Sequence, residues 1–263
     1  MLLIRNKRLR QIAGLLETTS VLSLKLFWKR SDAWRRFPGM VFRDYMSLVG
    51  LERWRSQEIF ELFPELKDHP RIVLEHLPGE GIETRVEVLA YLALATAAIR
   101  PKQVFEFGTF RGRTALNFAL NSPPECRVYT LDIPKVERSS AVGRMNDADA
   151  EIMQRSETGI DYQNRDVSHK IVQLLGDSMQ FDFAPYLDQI DLVFVDGGHD
   201  YAVARSDTRN ALAMLRPGGV IIWDEFANYG DYHDVMRAVL DEIPAERIVQ
   251  IANTQLAVYR KPS

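Results

Sequence analysis

Four short stretches carry residue types that could do chemistry, and each stands where an apolar run stops. In "IDLVFVDGGHDY" (190–201) the run ends in Asp196 and reaches His199 across two glycines. That turn is either a polar strand-to-helix connection or a place that holds chemistry. In "VFEFGTFRGRTAL" (104–116) a strand carries Glu106, and Gly108 and Gly112 bracket a tight turn into a helix starting near Arg113–Thr114. Glycines let the backbone approach a ligand, and the free N–H groups of a helix start favour an anionic group. The spacing is E-x-G-x-x-x-G rather than the G-x-G-x-x-G of dinucleotide folds, which weakens a pyrophosphate reading. "RVYTLD" (127–132) ends in Asp132, about 20 residues after the glycine turn, where doubly wound folds hold two ribose hydroxyls. Ile133–Pro134 follow it, which disfavours a helix cap. "LLGDSMQF" (174–181) turns at Asp177–Ser178, whose groups could meet an adenine on the same sheet edge.

The elements that must position these residues are short apolar runs separated by helical stretches. The runs are "VFEFG" (104–108), "RVYTLD" (127–132), "IVQLLG" (171–176), "DLVFVD" (191–196), "GVIIWD" (219–224), "RIVQI" (247–251) and "LAVY" (256–259). Runs this short and uniformly apolar suit strands covered on both faces, hence a parallel sheet between helical layers. Only "ANTQ" separates the last two, so they form a hairpin and one strand there is antiparallel. Before the sheet, "IETRVEVLAYLALATAAI" (82–99) reads as a long helix ended by Pro101. Residues 134–170 are polar and strand-poor, which suits an ordered lid. Up to about residue 75 the chain reads as helical, with apolar residues recurring at spacings of three and four and no strand alternation.

Hydrophobic content of 46% and charged content of 26% are those of a soluble globular protein, and 263 residues suffice for a large α/β domain with an appendage. The single cysteine, Cys126, excludes an internal disulfide framework or a multi-thiolate zinc site and fits a reducing compartment. The net charge of −3 speaks against a chain that coats nucleic acid. Residues 1–43 nevertheless carry ten Lys/Arg against Glu17 and Asp32, a net of +8, leaving −11 for the remainder. This basic segment bears Trp28 and Trp34 beside cations. It suits either a helical cap on the main domain or a peripheral contact with an anionic membrane or a partner. No clean signal peptide or uncharged membrane-spanning window is present, so a cytoplasmic location is expected.

The succession "EFGTFRG", "YTLD", "GDS", "DLVFVDGGHDY", "LRPGGVIIWDE" resembles the class I S-adenosylmethionine-dependent methyltransferases over residues 82–263, about two-thirds of the chain. Within that fold it is most similar to the small-molecule O-methyltransferases of the metal-dependent type, including those acting on sugars. The resemblance implies a doubly wound, seven-stranded, mostly parallel sheet of Rossmann-like type. Residues 1–81 become a helical extension and 134–170 a lid insertion. Glu106, Gly108, Thr109, Gly112 and Thr114 are then placed around the methionine moiety, Asp132 at the ribose, and Asp177 and Ser178 near the adenine. Asp196 is placed beside the cofactor and also, with Asp224 and Glu225, as a ligand of a divalent cation such as magnesium. Three converging carboxylates would repel one another, and a hard cation is the simplest relief. His199 is implied as general base for a hydroxyl acceptor, a sugar or another small metabolite. Which of Asp224 and Glu225 is the ligand stays open. His233 is placed near the pocket, while His69, His76 and His169 take structural roles.

Two other classes of function compete. A nicotinamide oxidoreductase on a similar sheet is disfavoured by the glycine spacing and the lack of a Tyr-x-x-x-Lys pair. A non-catalytic module docking through its basic N-terminal helices is disfavoured by the intact set of site residues. A nucleic-acid amino group as target is disfavoured because "DGGH" stands where an Asn/Asp-Pro-Pro-aromatic motif is needed. A homo-oligomer is compatible with this reading.

Overall fold

Eight strands form one sheet in the order β1-β7-β8-β6-β5-β2-β3-β4 in the computed structural model, which describes residues 55–68, 71–76, 84–134, 157–227 and 232–263. The basic segment 1–43 and residues 135–156 of the expected lid lie outside the described residues. The strands are β1 (Ser56–Gln57), β2 (Gln103–Phe107), β3 (Arg127–Asp132), β4 (Ile171–Leu175), β5 (Ile190–Val195), β6 (Leu215–Trp223), β7 (Val249–Ile251) and β8 (Ala257–Arg260). Strands β2 to β8 are the seven apolar runs. β8 is antiparallel to both β6 and β7, as the short "ANTQ" link requires, and the other pairings are parallel.

The expected count of seven is corrected to eight by β1, which pairs in parallel with β7. Two polar residues show no alternation, so this strand left no periodic signal. The helical reading up to residue 75 also changes within the described residues. Helix α1 (Ile59–Leu62) and a 3-10 turn (Pro64–Asp68) are its only helical parts there. Residues 71–76 are not helical. Asn117 and Asn121 each donate to and accept from their backbone, at Glu75 and Val73, like a neighbouring strand.

The core explains the uniform apolarity of the runs. On β5, Leu192 and Phe194 face one apolar cluster while Val193 and Val195 face the other. Each such fully buried side chain stabilises the fold by about 1.5–3 kcal/mol relative to exposure. Helices α2 (Val86–Ile99) and α3 (Arg113–Asn121) cover the first face, and α4 (Tyr201–Met214) and α5 (Tyr232–Glu242) the second. Helix α2 stops at Arg100, which takes the left-handed conformation at φ 50° just before Pro101. The buried ammonium of Lys170 donates to the carbonyls of Ala119 and Ser122, closing the end of α3.

Strand β2 lies between β5 and β3, so the chain leaves it towards opposite halves of the sheet. In such sheets the crevice beyond the carboxyl ends of the strands at this switch is where ligands bind. Glu106, Asp132, Asp196 and Asp224 all lie at or near those ends.

Candidate functional site

The glycine turn is built for close approach of backbone to backbone. Gly108 has φ 91°, and a Cβ there would stand 2.0 Å from the carbonyl oxygen of Asp196. Only glycine lets the ends of β2 and β5 come this close. Gly112, at φ 85°, begins α3, and a Cβ there would stand 2.4 Å from the ring of Tyr162. Between them, the Phe110 N–H donates to Asp132 Oδ2 at 2.8 Å, while Oδ1 accepts from Ile133 N–H at 2.7 Å. The acid at the end of β3 therefore stands against the glycine turn.

Glu106 is the most unusual residue of β2. Its side chain is 1% exposed, yet only Oε2 has a partner of good geometry, the Thr130 hydroxyl at 2.5 Å. Oε1 is buried without a hydrogen-bond partner among the described residues. Burial pushes its carboxyl well above the ordinary value; the Thr130 hydroxyl opposes this, and Asp196 and Asp132 add to it. A buried carboxylate oxygen without a donor is satisfied by an incoming ammonium group. Thr109 is buried and its hydroxyl lies 2.7 Å from that of Thr130. Thr114 is buried in the first turn of α3. On β4's far end, Asp177 Oδ1 accepts from the Met179 N–H, which folds the turn carrying Ser178.

Beyond β5 the polar turn divides its work. Asp200 caps α4, accepting from the N–H groups of Ala202 and Val203. His199 Nε2 lies 2.5 Å from Glu225 Oε2 and 3.9 Å from Asp196 Oδ1. Asp224 stands beside them, and burial, reinforced by the charge of Asp196, pushes its carboxyl up to about 7. The Glu225 N–H donates to it at 2.8 Å, and His199 and Arg85 also favour its charged form. Glu225 itself is left-handed at φ 57°, a conformation that costs a non-glycine residue about 1–3 kcal/mol and gathers at functional sites.

Asp196, Asp224 and Glu225 thus meet around His199. Among the described residues, however, no group of three or more His, Cys, Asp or Glu is placed to hold a metal ion. The Glu225 oxygen faces the imidazole, so this arrangement does not fit the expected ligand set. His233 is about half exposed, and His169 is exposed with Nδ1 on the Asp166 carbonyl. His69 lies outside the described residues.

Several residues of the site were not singled out from sequence. Thr130 and Gln173 are polar residues in the middle of apolar strands, a signal that was available. Asp207 of α4 is 1% exposed, and neither carboxylate oxygen has a partner of good geometry among the described residues. Segment 157–168 docks on the glycine turn. Gly159 and Asp161 N–H donate to the carbonyls of Phe110 and Arg111, and Arg111 clamps the Asp161 carboxylate at 2.7 and 3.2 Å. His76 joins this cluster, in contact with Arg165 and 4.0 Å from Asp161.

No helix among the described residues is long and apolar enough to cross a membrane. No curated protein matches the chain. Among solved structures, the O-methyltransferase NovP is similar at 16% identity, with a TM-score of 0.53 over 68% of this chain and 81% of that one, a likeness of fold. Two others are the cofactor-bound Rv0187 from MTB (21% identity, 71% and 78% covered, TM-score 0.44) and the O-methyltransferase TomG from Streptomyces achromogenes in complex with SAM (18%, 82% and 94%, 0.44). A family model described as a methyltransferase domain matches residues 105–226, from the middle of β2 to just past Glu225. Residues 105–226 are therefore similar to a methyltransferase domain, and the fold is the Rossmann-like one that NovP also has.

Proposed function

We propose that the protein transfers a methyl group from S-adenosylmethionine to a hydroxyl of a small acceptor, a sugar or a comparable hydroxylated metabolite. The observation that carries this reading is the unpaired, buried Oε1 of Glu106 behind the Gly108 turn, with Asp132 and Asp177 at the ends of the next two strands. These are complements, in order along the sheet edge, to an ammonium group, a ribose diol and an adenine. The cofactor supplies the electrophilic methyl group.

The chain's own residues would do the rest. Glu106 and Asp196 take the ammonium end, and Asp132 holds the ribose. With Nε2 held against Glu225, His199 removes the acceptor's hydroxyl proton at its other ring nitrogen, Nδ1, and the oxygen then attacks the methyl carbon in line. The C–S bond breaks as the C–O bond forms, sulfur keeps the electron pair, and the proton stays on the imidazole against Glu225. The polar rim of Asp196, His199 and Glu225 supports a hydroxylated acceptor.

Calorimetric titration with S-adenosylmethionine, repeated with EDTA and with magnesium, tests the cofactor assignment. One site of micromolar affinity is expected in all three buffers, and no binding in any of them would overturn the reading. His199→Ala should keep that affinity and lose transfer of labelled methyl to any acceptor the wild type accepts.

A further inference from the structure

Glu106, Thr130 and Gln173 occupy one lateral row of the sheet. Glu106 pairs in register with Thr130 across β2 and β3, and Thr130 with Gln173 across β3 and β4. Thr109 from the glycine turn and Tyr162 from segment 157–168 complete the row. The Tyr162 hydroxyl donates to Gln173 Oε1 at 2.6 Å. Gln173 Nε2 faces the Thr109 hydroxyl at 3.0 Å and the carbonyls of Thr130 and Leu174 at 3.0 and 2.9 Å. Two of those neighbours accept only, so the amide nitrogen must be the atom facing them, and Oε1 must face Tyr162.

The direction of every later bond follows. The two Gln173 Nε2 protons are shared among Thr109 and the two carbonyls; Thr130 gives its single proton to Glu106 Oε2 at 2.5 Å, so in the 2.7 Å contact between the hydroxyls Thr109 is the donor. All protons of the chain therefore point towards the Glu106 carboxylate, and Oε1 is left over. Such chains polarise each bond by the next. Burial, with the charges of Glu106 and Asp132, pushes the Tyr162 hydroxyl up to about 12, so it remains a donor at neutral pH.

Tyr162 also holds the turn from outside. A Cβ on Gly112 would stand 2.4 Å from its ring, and one on Gly159 2.3 Å from its hydroxyl oxygen. Ring and hydroxyl thus have separable tasks.

We propose that Tyr162 is a positioning residue for the cofactor: through Gln173, Thr109 and Thr130 its hydroxyl fixes the Glu106 carboxylate, so that Oε1 is presented to the cofactor's ammonium group. This rests on the methyltransferase reading above, in which Glu106 receives that group. The site acts on the amino-acid end of the ligand, so the inference predicts an effect that depends on which ligand is bound.

Tyr162→Phe keeps the ring and removes the first donor. Its affinity should be measured for S-adenosylhomocysteine, which has the ammonium group, and for 5′-methylthioadenosine, which lacks the amino-acid end. The dissociation constant for the first should rise about fivefold to tenfold, the size expected for one buried hydrogen bond, and that for the second should stay within about twofold. Thr109→Val should reproduce the same selectivity, and Thr109→Ser, which keeps the hydroxyl, should restore the wild-type ratio. This second pair decides the matter if Tyr162→Phe does not fold. Equal weakening of both ligands, or of neither, would overturn the proposal while leaving the cofactor assignment intact. Failure of the wild type to bind either ligand would overturn the methyltransferase reading and this inference with it.

Discussion

Replacing Asp207 by Asn should stabilise the protein at alkaline pH and do almost nothing in acid. The carboxylate sits on α4 beneath the turn after β5, with Oδ2 2.9 Å from where a Cβ on Gly197 would stand. Burial pushes it from 3.8 up to about 7; the Ser178 hydroxyl opposes this, and Asp177 and Asp200 add to it. Between these values the folded state holds a proton that the unfolded chain has released. Stability therefore falls as pH rises through that window and is flat above it. At about 1.4 kcal/mol per pH unit, a gap of roughly three units amounts to about 4 kcal/mol at pH 8, an upper figure because relaxation around the ion offsets part of it. Asn has the same shape and no charge. For a domain of this size 1 kcal/mol shifts the melting temperature by about 2–4 °C. Calorimetric scans from pH 4 to 8.5 at fixed ionic strength should show D207N melting several degrees above wild type at pH 8, with the difference shrinking towards pH 4. A difference that stays constant with pH, or a variant that melts lower at pH 8, would refute the reasoning.

Two further substitutions separate the site from its scaffold. Gly108→Ala brings a methyl group to 2.0 Å from the Asp196 carbonyl oxygen in a left-handed backbone, so the ends of β2 and β5 must part; cofactor affinity should drop at least about tenfold, together with the melting temperature. Asp191 lies at the opposite end of β5, accepting from the N–H groups of Lys102 and Gln103 at 2.7 and 2.8 Å and pairing with Arg216. Asp191→Ala should cost about 2–4 kcal/mol in denaturant unfolding, since two donors and a cation lose their partner. Cofactor affinity should not change, and an equal loss there would show that the two ends of the strand are not independent.

What the sequence made legible follows the strength of its local signals. Strands β2 to β8 are mostly apolar runs, and the ends of β2 to β6 are marked by an acid or a glycine, so sheet class and the ends of those strands are readable. β1 is not, because two polar residues are too few for any period. The helical expectation up to about residue 75 rests on the spacing of apolar residues near the start of the chain and does not hold at 71–75, where the backbone of Val73 and Glu75 is bonded by Asn121 and Asn117, distant in sequence. The site was legible as a set of strand-end residues and not as a network. Thr130 and Gln173 were visible as polar residues in apolar strands. That they stand in one row with Glu106 depends on register, and register is fixed by which side chains meet across the sheet rather than by spacing along the chain. Asp161 and Tyr162 come from a segment with no period at all, so their approach to the glycine turn had no local signature.

The acids around the site raise a question about rate as well as binding. Glu106, Asp196, Asp224 and Glu225 lie at the ends of neighbouring strands, and a field that favours the positive sulfur of the cofactor would hold the ground state back, since that charge fades as the methyl leaves. On the proposed reaction the charge does not leave the cluster. It disappears from sulfur as the acceptor's proton settles on His199, whose Nε2 is 2.5 Å from Glu225 and 3.9 Å from Asp196. Carboxylates that stabilise the sulfonium before transfer stabilise the imidazolium during it, so their field stays matched to the moving charge. The strained backbone of Glu225 is then understandable. The left-handed turn at φ 57° accompanies the placement of its carboxylate against the imidazole, while the N–H of the same residue holds Asp224. A residue with ordinary backbone at this position would have to give up one of those two contacts, and the base would lose the partner that meets its charge.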